Sequence, residues 1–191
     1  MISYKGAIDP HFGSYEIKND IITMPFWKRE FCDELVEVCE EYKDRFFTKE
    51  GYDTHELLLS DVSRLLFQDY ALHFKEHVAP ILRKEWMFDL DGMFSPFFLR
   101  YFMAGPRKLH LHNDTSLFTT SIKLNDDYEG CHIFFPRQNF SMQDVPVGHA
   151  VIWPSVLTHP HYVTELTRGV KYSFASFTWP ISWTDSVGYK F

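Results

Sequence analysis

The segment KLHLHNDTS, residues 108–116, places His110, His112 and Asp114 at alternate positions. In a β-strand, alternate side chains share one face, so we expect these three to point one way and the two neighbouring leucines to pack on the other side. Imidazole and carboxylate groups two residues apart can bind the same small ion, and this donor set suits Fe(II), Mn(II) or Zn(II). The segment therefore predicts part of a metal site whose remaining ligand comes from elsewhere in the chain.

A second histidine pair, in LTHPHYV at residues 157–163, is the candidate source of that ligand. His159 and His161 are again two residues apart on one expected strand face, and their distance along the chain suits a return across a β-sandwich. The chain contains 10 histidines, so a His-X-Asp triplet alone arises easily by chance and is weak evidence. Strand alternation by itself allows either histidine of the second pair to be the ligand.

The segment RGVKYSFASF, residues 168–177, adds a cation to a predicted strand. Alternation puts Lys171 and Ser173 on one face, whereas Tyr172 and Phe174 take the other. A buried ammonium group is costly unless it is paired. We therefore expect an anionic guest or a nearby carboxylate, and a dicarboxylate cosubstrate fits this expectation.

The overall composition narrows the class of protein. The chain has 191 residues, a formal net charge of -7 and 18% aromatic residues. The negative charge argues against a nucleic-acid partner, because such binding depends on cations placed along phosphates. The many aromatic residues favour β-strands, and a chain of this length can bury a core of its own.

The cysteines and the apolar segments indicate the cellular compartment in which the protein is expected. Cys32, Cys39 and Cys131 are an odd number without metal-ligand spacing, so we expect reduced thiols and a reducing compartment. The first residues lack an apolar leader, and the most apolar later stretch, residues 93–104, is too short for a membrane span and contains Arg100. These features predict a cytoplasmic protein without a membrane partner.

Apolar periodicity divides the chain into a helical part and a strand-rich part. We expect a strand over residues 16–25 and an amphipathic helix over residues 27–43. A second helix is expected over residues 62–86, with a break near Ala79 because Pro80 follows. Its predicted inward positions are Leu65, Leu66, Tyr70, Leu72, Phe74, Val78 and Leu82. Later apolar runs separated by turn signals predict strands over residues 97–103, 116–124, 131–135, 150–153 and 170–178.

Helices followed by many short strands indicate an α+β fold with a sandwich or barrel. We expect one domain over residues 1–191. Within it, residues 1–94 are expected to form a helical support region with a leading strand, and residues 95–180 a jelly-roll core. Substrate specificity is expected in connecting loops, which we predict at residues 44–54, 88–96 and 125–130.

Several segments resemble the Fe(II)- and 2-oxoglutarate-dependent dioxygenases, and within them the procollagen prolyl and lysyl hydroxylase group. They are LRYFMAG, HNDTSLFTTSIKLN, DYEG and LTHPHYVTELTRGVKYSFASF, and within that group they match the lysyl hydroxylase catalytic domain more closely. A looser likeness extends upstream through GYDTHELLLSDV. The resemblance implies a double-stranded β-helix, a cupin-like jelly roll with N-terminal helices packed on one sheet. It also implies hydroxylation of an unactivated C–H bond in a peptidyl lysine or proline, with release of succinate and CO₂ and with L-ascorbate as an additional cofactor.

The resemblance also implies roles for individual residues. The implied iron ligands are His112, Asp114 and His161, and the family's spacing selects His161 over His159. Lys171 would hold the distal carboxylate of 2-oxoglutarate, with further cosubstrate contacts from Tyr101, Thr119, Ser121 and Ser173. The residues expected behind the ligands or at the substrate rim are His110, His159 and Arg168. Apolar walls are expected from Phe118, Phe134, Ile152 and Trp153.

The sequence motifs leave more than one substrate class possible. Lys171 stands where lysyl hydroxylases have arginine and collagen prolyl hydroxylases have lysine, and the family's glycine-rich turn is reduced to Gly130. The alternatives are a hydroxylase of a free amino acid or other small molecule, and a non-catalytic cupin-like metal-binding protein. A nucleic-acid demethylase is disfavoured, because Arg168 and Lys171 do not repeat its pair of arginines. A homodimer is an open alternative for the assembly.

Overall fold

The computed structural model describes residues 3–49, 51, 53–180 and 189–191. In these residues a helical layer covers one face of a large antiparallel sheet, and a smaller sheet lies against the other face. The α-helices are α1 Arg29–Glu41, α2 Leu59–Val62, α3 Arg64–His73 and α4 Ala79–Trp86. A 3₁₀ turn, Lys43–Arg45, follows α1, and a π-helical turn, Phe74–Val78, joins α3 to α4. None of the helices in the described ranges is long and apolar enough to cross a membrane.

The described strands form three antiparallel sheets. In chain order they are β1 Glu16–Lys18, β2 Ile21–Pro25, β3 Phe47–Lys49, β4 Thr54–Leu58, β5 Leu90–Met93, β6 Phe97–Phe102, β7 Leu109–His112, β8 Phe118–Lys123, β9 Glu129–Gly130, β10 Ile133–Phe135, β11 Phe140–Ser141, β12 His149–Pro154, β13 His161–Val163, β14 Leu166–Arg168, β15 Val170–Pro180 and β16 Tyr189–Lys190. The large sheet has the order β1-β2-β12-β8-β15-β6-β4-β3, and β5 pairs with both β15 and β16. The small sheet has the order β11-β10-β13-β7, and β14 pairs with β9. The predicted α+β class is confirmed.

Amphipathic helices anchor the outer face of the large sheet. Phe31, Leu35 and Cys39 of α1 lie at helical spacing and are buried. They belong to the same apolar cluster as Ile122 of β8 and Phe174 of β15. Full burial of one such side chain contributes about 1.5–3 kcal/mol. This layer therefore fixes the position of the central strands, whose opposite face is turned toward the small sheet.

The longest strand, β15, contributes side chains to both faces of the large sheet. Tyr172 and Phe174 pack in the cluster under the helices, as predicted. Lys171 and Ser173 line a cavity on the other face. Period-two alternation in one strand thus separates an apolar support from a polar interior.

Two predictions about the N-terminal half were wrong. Residues 16–25 form a hairpin rather than one strand, because Asn19 and Asp20 have φ values of 53° and 62° and turn the chain between β1 and β2. Leu65 and Leu72 are 61% and 45% exposed instead of buried.

The predicted loops at residues 44–54 and 88–96 contain short strands, so the assignment of both segments as loops was also wrong. The first holds β3 and the start of β4, and the second holds β5. All three strands belong to the large sheet or pair with one of its strands. Sheet pairing orders these segments even though they lack a long apolar run.

Candidate metal and cosubstrate site

Three potential metal ligands meet between the two sheets. His112 ends β7 and His161 begins β13, and these two residues are paired directly in the antiparallel ladder. Asp114 follows two residues after β7. One ligand atom from each of the three residues lies within 4.8 Å of the others, a spacing that suits one bound ion.

Backbone carbonyls orient both imidazole rings. The Nδ1 of His112 is 2.7 Å from the carbonyl oxygen of His110, and the Nδ1 of His161 is 3.1 Å from that of His159. An Nδ1–H donated to a carbonyl leaves the Nε2 lone pair free for a metal. Both Nε2 atoms lie beside Asp114, at 3.4 Å from Oδ1 and 3.7 Å from Oδ2 respectively. The two rings therefore present the same kind of donor atom to the same point.

A buried chain of hydroxyl groups holds the carboxylate. The Thr119 hydroxyl donates to Oδ2 of Asp114 at 2.7 Å. Thr119 in turn accepts a hydrogen bond from the Ser155 hydroxyl at 2.7 Å, and its oxygen is 2.9 Å from that of Ser116. Thr119 was predicted as a cosubstrate contact, and its hydroxyl is hydrogen-bonded to the carboxylate of the candidate metal ligand Asp114.

The charges of the three ligands depend on one another. Burial opposes ionisation of Asp114, but His112, His161 and Thr119 outweigh it and lower the pKa of this carboxyl group. Burial likewise opposes protonation of His112, but Asp114 and the His110 carbonyl outweigh it and raise the pKa of that imidazole. Burial lowers the pKa of His161, and the Asp114 charge offsets only part of this effect. The set provides a buried carboxylate anion with two nitrogen donors, which is a favourable environment for a divalent cation.

The ligands open into a cavity of about 430 Å³, a size typical of small-molecule sites. The five residues predicted to contact the cosubstrate all line it: Tyr101, Thr119, Ser121, Lys171 and Ser173. The Ser121 hydroxyl is buried and has no hydrogen-bond partner among the described residues. Such a group costs free energy unless a ligand or water satisfies it.

Lys171 is a buried cation in this cavity. Its exposed fraction is 5%, and its Nζ donates to the Cys131 carbonyl at 2.8 Å and lies 5.4 Å from the centre of the Tyr101 ring. Burial lowers the pKa of this ammonium group. An ammonium has three N–H donors, and within the described chain only one of them has an acceptor. The remaining donors fit a carboxylate group.

The predicted alternation in β7 was wrong. In the β7–β13 ladder His112 pairs with His161 and Leu109 pairs with Val163. Three residues along β7 therefore match two along β13, which is the register shift of a β-bulge. Because of this bulge, Leu109 and His112 both line the cavity, whereas His110 and Leu111 are exposed.

Three other predicted polar residues lie outside the cavity lining. His110 is exposed, and its ring centre is 6.1 Å from that of His112. His159 is buried, with Nδ1 2.8 Å from the Thr158 hydroxyl and Nε2 3.4 Å from the carbonyl of Asn19. Arg168 is exposed and pairs with Glu129 at 2.8 Å.

Three of the four predicted apolar wall residues were assigned to the wrong face. Phe118 and Ile152 belong to the cluster under the helices, and Phe134 packs against Tyr162 with ring centres 5.5 Å apart. Trp153 lines the cavity as predicted. The cavity is also lined by residues without a predicted role in the site: Lys49, Glu56, Leu58, Phe94, Phe97 and Phe177. Thr54, Glu56 and Leu58 share a face of β4 but not a polar or apolar character, so the sequence gives only a weak signal for a strand there.

No family model matches the chain. Among curated proteins it is 31% identical over 180 residues to mouse procollagen-lysine,2-oxoglutarate 5-dioxygenase 1, covering 84% of this chain and 24% of the relative. It is 29% identical over 177 residues to human procollagen-lysine,2-oxoglutarate 5-dioxygenase 2, again covering 84% and 24%. It is 28% identical over 196 residues to the multifunctional procollagen lysine hydroxylase and glycosyltransferase of Caenorhabditis elegans, covering 93% and 26%. The chain thus spans about a quarter of the length of these relatives.

Solved structures share the fold at low sequence identity. A Pseudomonas putida prolyl-4-hydroxylase has a TM-score of 0.67 at 12% identity, covering 84% of this chain and 92% of that one. The collagen prolyl hydroxylase of Paramecium bursaria Chlorella virus 1, in complex with 2-oxoglutarate, has a TM-score of 0.64 at 13% identity, with coverage of 85% and 97%. A Trichoplax adhaerens prolyl hydroxylase, in complex with a hypoxia-inducible factor peptide, has a TM-score of 0.66 at 12% identity, with coverage of 85% and 84%.

These likenesses confirm the predicted double-stranded β-helix, in which two sheets face each other without closing into a barrel in the described chain. The sequence relatives agree with the hydroxylase group inferred from the motifs. The chain is thus similar in sequence to procollagen-lysine,2-oxoglutarate 5-dioxygenases, over about a quarter of their length, and it shares the fold of the prolyl hydroxylases.

Proposed function

We propose that this chain is an Fe(II)- and 2-oxoglutarate-dependent hydroxylase that oxidises an unactivated C–H bond, most favourably in a peptidyl lysine. One observation carries the proposal: a His-Asp-His donor set and a buried, incompletely paired lysine line the same cavity. The names of the sequence relatives support the same reaction class.

His112, Asp114 and His161 would hold the metal. Two nitrogens and one carboxylate on one side of an ion leave coordination positions open for other ligands, as in non-haem Fe(II) oxygenases. Fe(II), when bound, would supply the oxidation of the substrate C–H bond by O₂, with one oxygen atom entering the substrate as hydroxyl and the other entering the succinate that forms as 2-oxoglutarate loses CO₂. The Thr119 hydrogen bond and the two backbone carbonyls would keep the ligands oriented between turnovers.

Lys171 would hold the distal carboxylate of 2-oxoglutarate. The ammonium lies in a low-dielectric interior, so a charge-assisted hydrogen bond to an anion is strong there. Ser173 is next to Lys171 on the cavity face of β15, and Ser121 offers a hydroxyl with no partner in the described chain. Tyr101 is paired with Lys171 across β6 and β15 and would close this end of the cavity. L-ascorbate is proposed as an additional cofactor that keeps the iron reduced.

The proposed substrate is a peptide side chain. The curated relatives are named for procollagen lysine, and the Trichoplax prolyl hydroxylase was solved with a bound peptide. The alternatives are hydroxylation of a free amino acid or another small molecule, and a non-catalytic metal-binding role. We also propose a reducing compartment such as the cytoplasm, which the three free and buried cysteines support.

A succinate-release screen tests the proposal. The protein is incubated with Fe(II), ascorbate and 2-oxoglutarate, and with lysine peptides, proline peptides or free amino acids. We expect succinate release to rise with a lysine peptide and a +16 product to appear in its mass spectrum. His112→Ala should abolish both signals, whereas His110→Ala, at an exposed neighbouring position, should retain them. Succinate without any oxidised peptide, together with an oxidised free amino acid, would favour the small-molecule alternative.

A further inference from the structure

Glu56 is a buried carboxylate in the cavity that the proposed reaction leaves without a role. It lies on β4 and is 5% exposed. Thr54 and Leu58, two residues before and after it, line the cavity on the same face of the strand. In the large sheet Glu56 is paired with Leu99, and Leu99 is paired with Ser173. Two strand spacings, roughly 9 to 10 Å, therefore separate the Glu56 backbone from the strand that carries Lys171.

Both contacts of this carboxylate involve one oxygen. The Thr54 hydroxyl donates to Oε1 at 2.6 Å, and the Lys49 ammonium lies 4.0 Å from the same atom on a side chain that is 44% exposed. Over the residues that the structure describes, Oε2 has no hydrogen-bond or ion-pair partner. Because Glu56 lines the cavity, Oε2 is available to a second cation, and such a pairing would stabilise a carboxylate on a residue this well buried.

The two other buried charged groups of the cavity, Asp114 and Lys171, already have proposed partners, whereas Lys49 is 44% exposed. Asp114 would be neutralised by the metal and Lys171 by the dicarboxylate. Glu56 and Asp114 both act on the Tyr101 hydroxyl: burial raises the pKa of this group, and Cys131 and the two carboxylates raise it further. After metal and cosubstrate bind, Glu56 is the buried anion that faces the remaining space.

We propose that Glu56 determines substrate specificity by receiving the side-chain ammonium group of a lysine substrate. This inference rests on the proposed hydroxylase function and deepens it. Leu58, Phe97 and Leu99 line the cavity beside Glu56 and offer an apolar surface for the methylene stem of the lysine. A prolyl ring would leave the carboxylate unpaired, so the site discriminates in favour of lysine.

The test is a comparison of two blocked peptides that differ in one charge. Gly-Lys-Gly and the same peptide with norleucine in place of lysine are titrated calorimetrically into the protein holding Fe(II) and 2-oxoglutarate, without oxygen. A charge-assisted hydrogen bond corresponds to a preference of about 10- to 100-fold for the lysine peptide. Free L-lysine is a third probe that separates a peptide substrate from a free amino acid with the same ammonium group.

Variants assign the preference to Glu56. Glu56→Gln should remove most of the preference for lysine, and Glu56→Asp should keep most of it because the charge remains. The matched control is Glu76→Gln in the π-helical turn, where the side chain is 57% exposed, and this variant should match the wild type. Thermal melts show whether each variant is folded. The preference of the wild type for the lysine peptide over the norleucine peptide tests the proposal without any substitution.

The outcomes separate this inference from the proposed function. Equal binding of the two peptides, or a preference that survives in Glu56→Gln, would overturn the role of Glu56. Binding of neither peptide nor free lysine by a protein that binds 2-oxoglutarate would overturn it as well, and would leave the reaction class standing. Failure to bind 2-oxoglutarate at all would instead contradict the hydroxylase proposal.

Discussion

His112 and His161 stand directly opposite each other in the β7–β13 ladder, with ring centres 4.4 Å apart. Because adjacent strands hold both residues, backbone pairing rather than a long loop sets the distance between the rings. Asp114 lies outside the ladder, and the Thr119 hydrogen bond fixes it there. The donor set is therefore organised before any ion binds.

Substituting the two histidines of the THPH segment should have different effects on metal binding. His161→Ala removes a proposed ligand and should weaken Fe(II) binding by at least about tenfold. His159→Ala should retain metal binding, because its side chain hydrogen-bonds Thr158 and the Asn19 carbonyl rather than facing the cavity. Competition with a chromophoric chelator measures both affinities. Loss of metal in His159→Ala with retention in His161→Ala would show that the wrong histidine has been identified as the ligand.

Thr119 should affect the metal more than the cosubstrate. Thr119→Val removes the hydrogen bond to Asp114 and should lower metal affinity by about 10- to 100-fold. Thr119→Ser keeps a hydroxyl and should recover most of this loss. Ser121→Ala is the matched control on the same strand, and it should leave metal affinity unchanged. An equal loss of metal affinity in the Ser121 variant would mean that Thr119 acts only through packing.

Cosubstrate affinity should fall as the pH rises. Burial lowers the pKa of Lys171, so the free protein loses this ammonium charge at a lower pH than an ordinary lysine would. The dicarboxylate binds the charged form, and its affinity is therefore full below the lowered pKa and decreases above it. Lys171→Arg stays protonated and should give a flatter profile, even if its larger group reduces the affinity overall. Anaerobic titrations of 2-oxoglutarate from about pH 7 to about pH 9.5 would show whether the two profiles differ.

Gly130→Ala should destabilise the turn beside the cosubstrate end of the cavity. Gly130 has φ +75°, and an added Cβ would collide with the backbone carbonyl of Glu165. Strain and overlap together should lower the free energy of unfolding by about 2 to 4 kcal/mol. The next residue, Cys131, provides the carbonyl that accepts from Lys171, so 2-oxoglutarate affinity should also fall.

Gly13→Ala is the control for this substitution. Gly13 also has positive φ, at +95°, but has open space around it, so Gly13→Ala should cost only about 1 to 2 kcal/mol. Chemical denaturation compares the two variants. Equal losses would show that backbone conformation alone, without the collision, determines the cost at Gly130.

Sequence alternation predicted the parts of the site that lie on regular strands. The inward face of Lys171 and Ser173 followed from period two in β15, where pairing is regular along the segment. The same rule failed in β7, because a bulge between Leu109 and His112 puts both side chains on the same face of the strand. The residue types of this segment do not indicate the bulge. The spacing implied by the family resemblance, rather than alternation, selected His161 over His159.

The missed part of the cavity comes from strands with little sequence signal. β4 is five residues long and carries His55 and Glu56, so it lacks the apolar run by which strands were recognised. It is ordered by pairing with β6, which is distant in sequence, and with β3, which is short. Neither pairing can be predicted from the local sequence of β4. Tertiary pairing, rather than local sequence, therefore places Glu56 on the cavity face.

The most direct test of the account is anaerobic titration of 2-oxoglutarate into the Fe(II)-loaded protein, followed through the metal-to-ligand charge-transfer band. The wild type should develop this band, because the triad and Lys171 line one cavity. Lys171→Ala should weaken cosubstrate binding by about 10- to 100-fold with little change in Fe(II) affinity, and Lys108→Ala, at an exposed position, should behave as wild type. Absence of the band in an iron-loaded wild type, or an unchanged dissociation constant in Lys171→Ala, would contradict the shared metal and cosubstrate site.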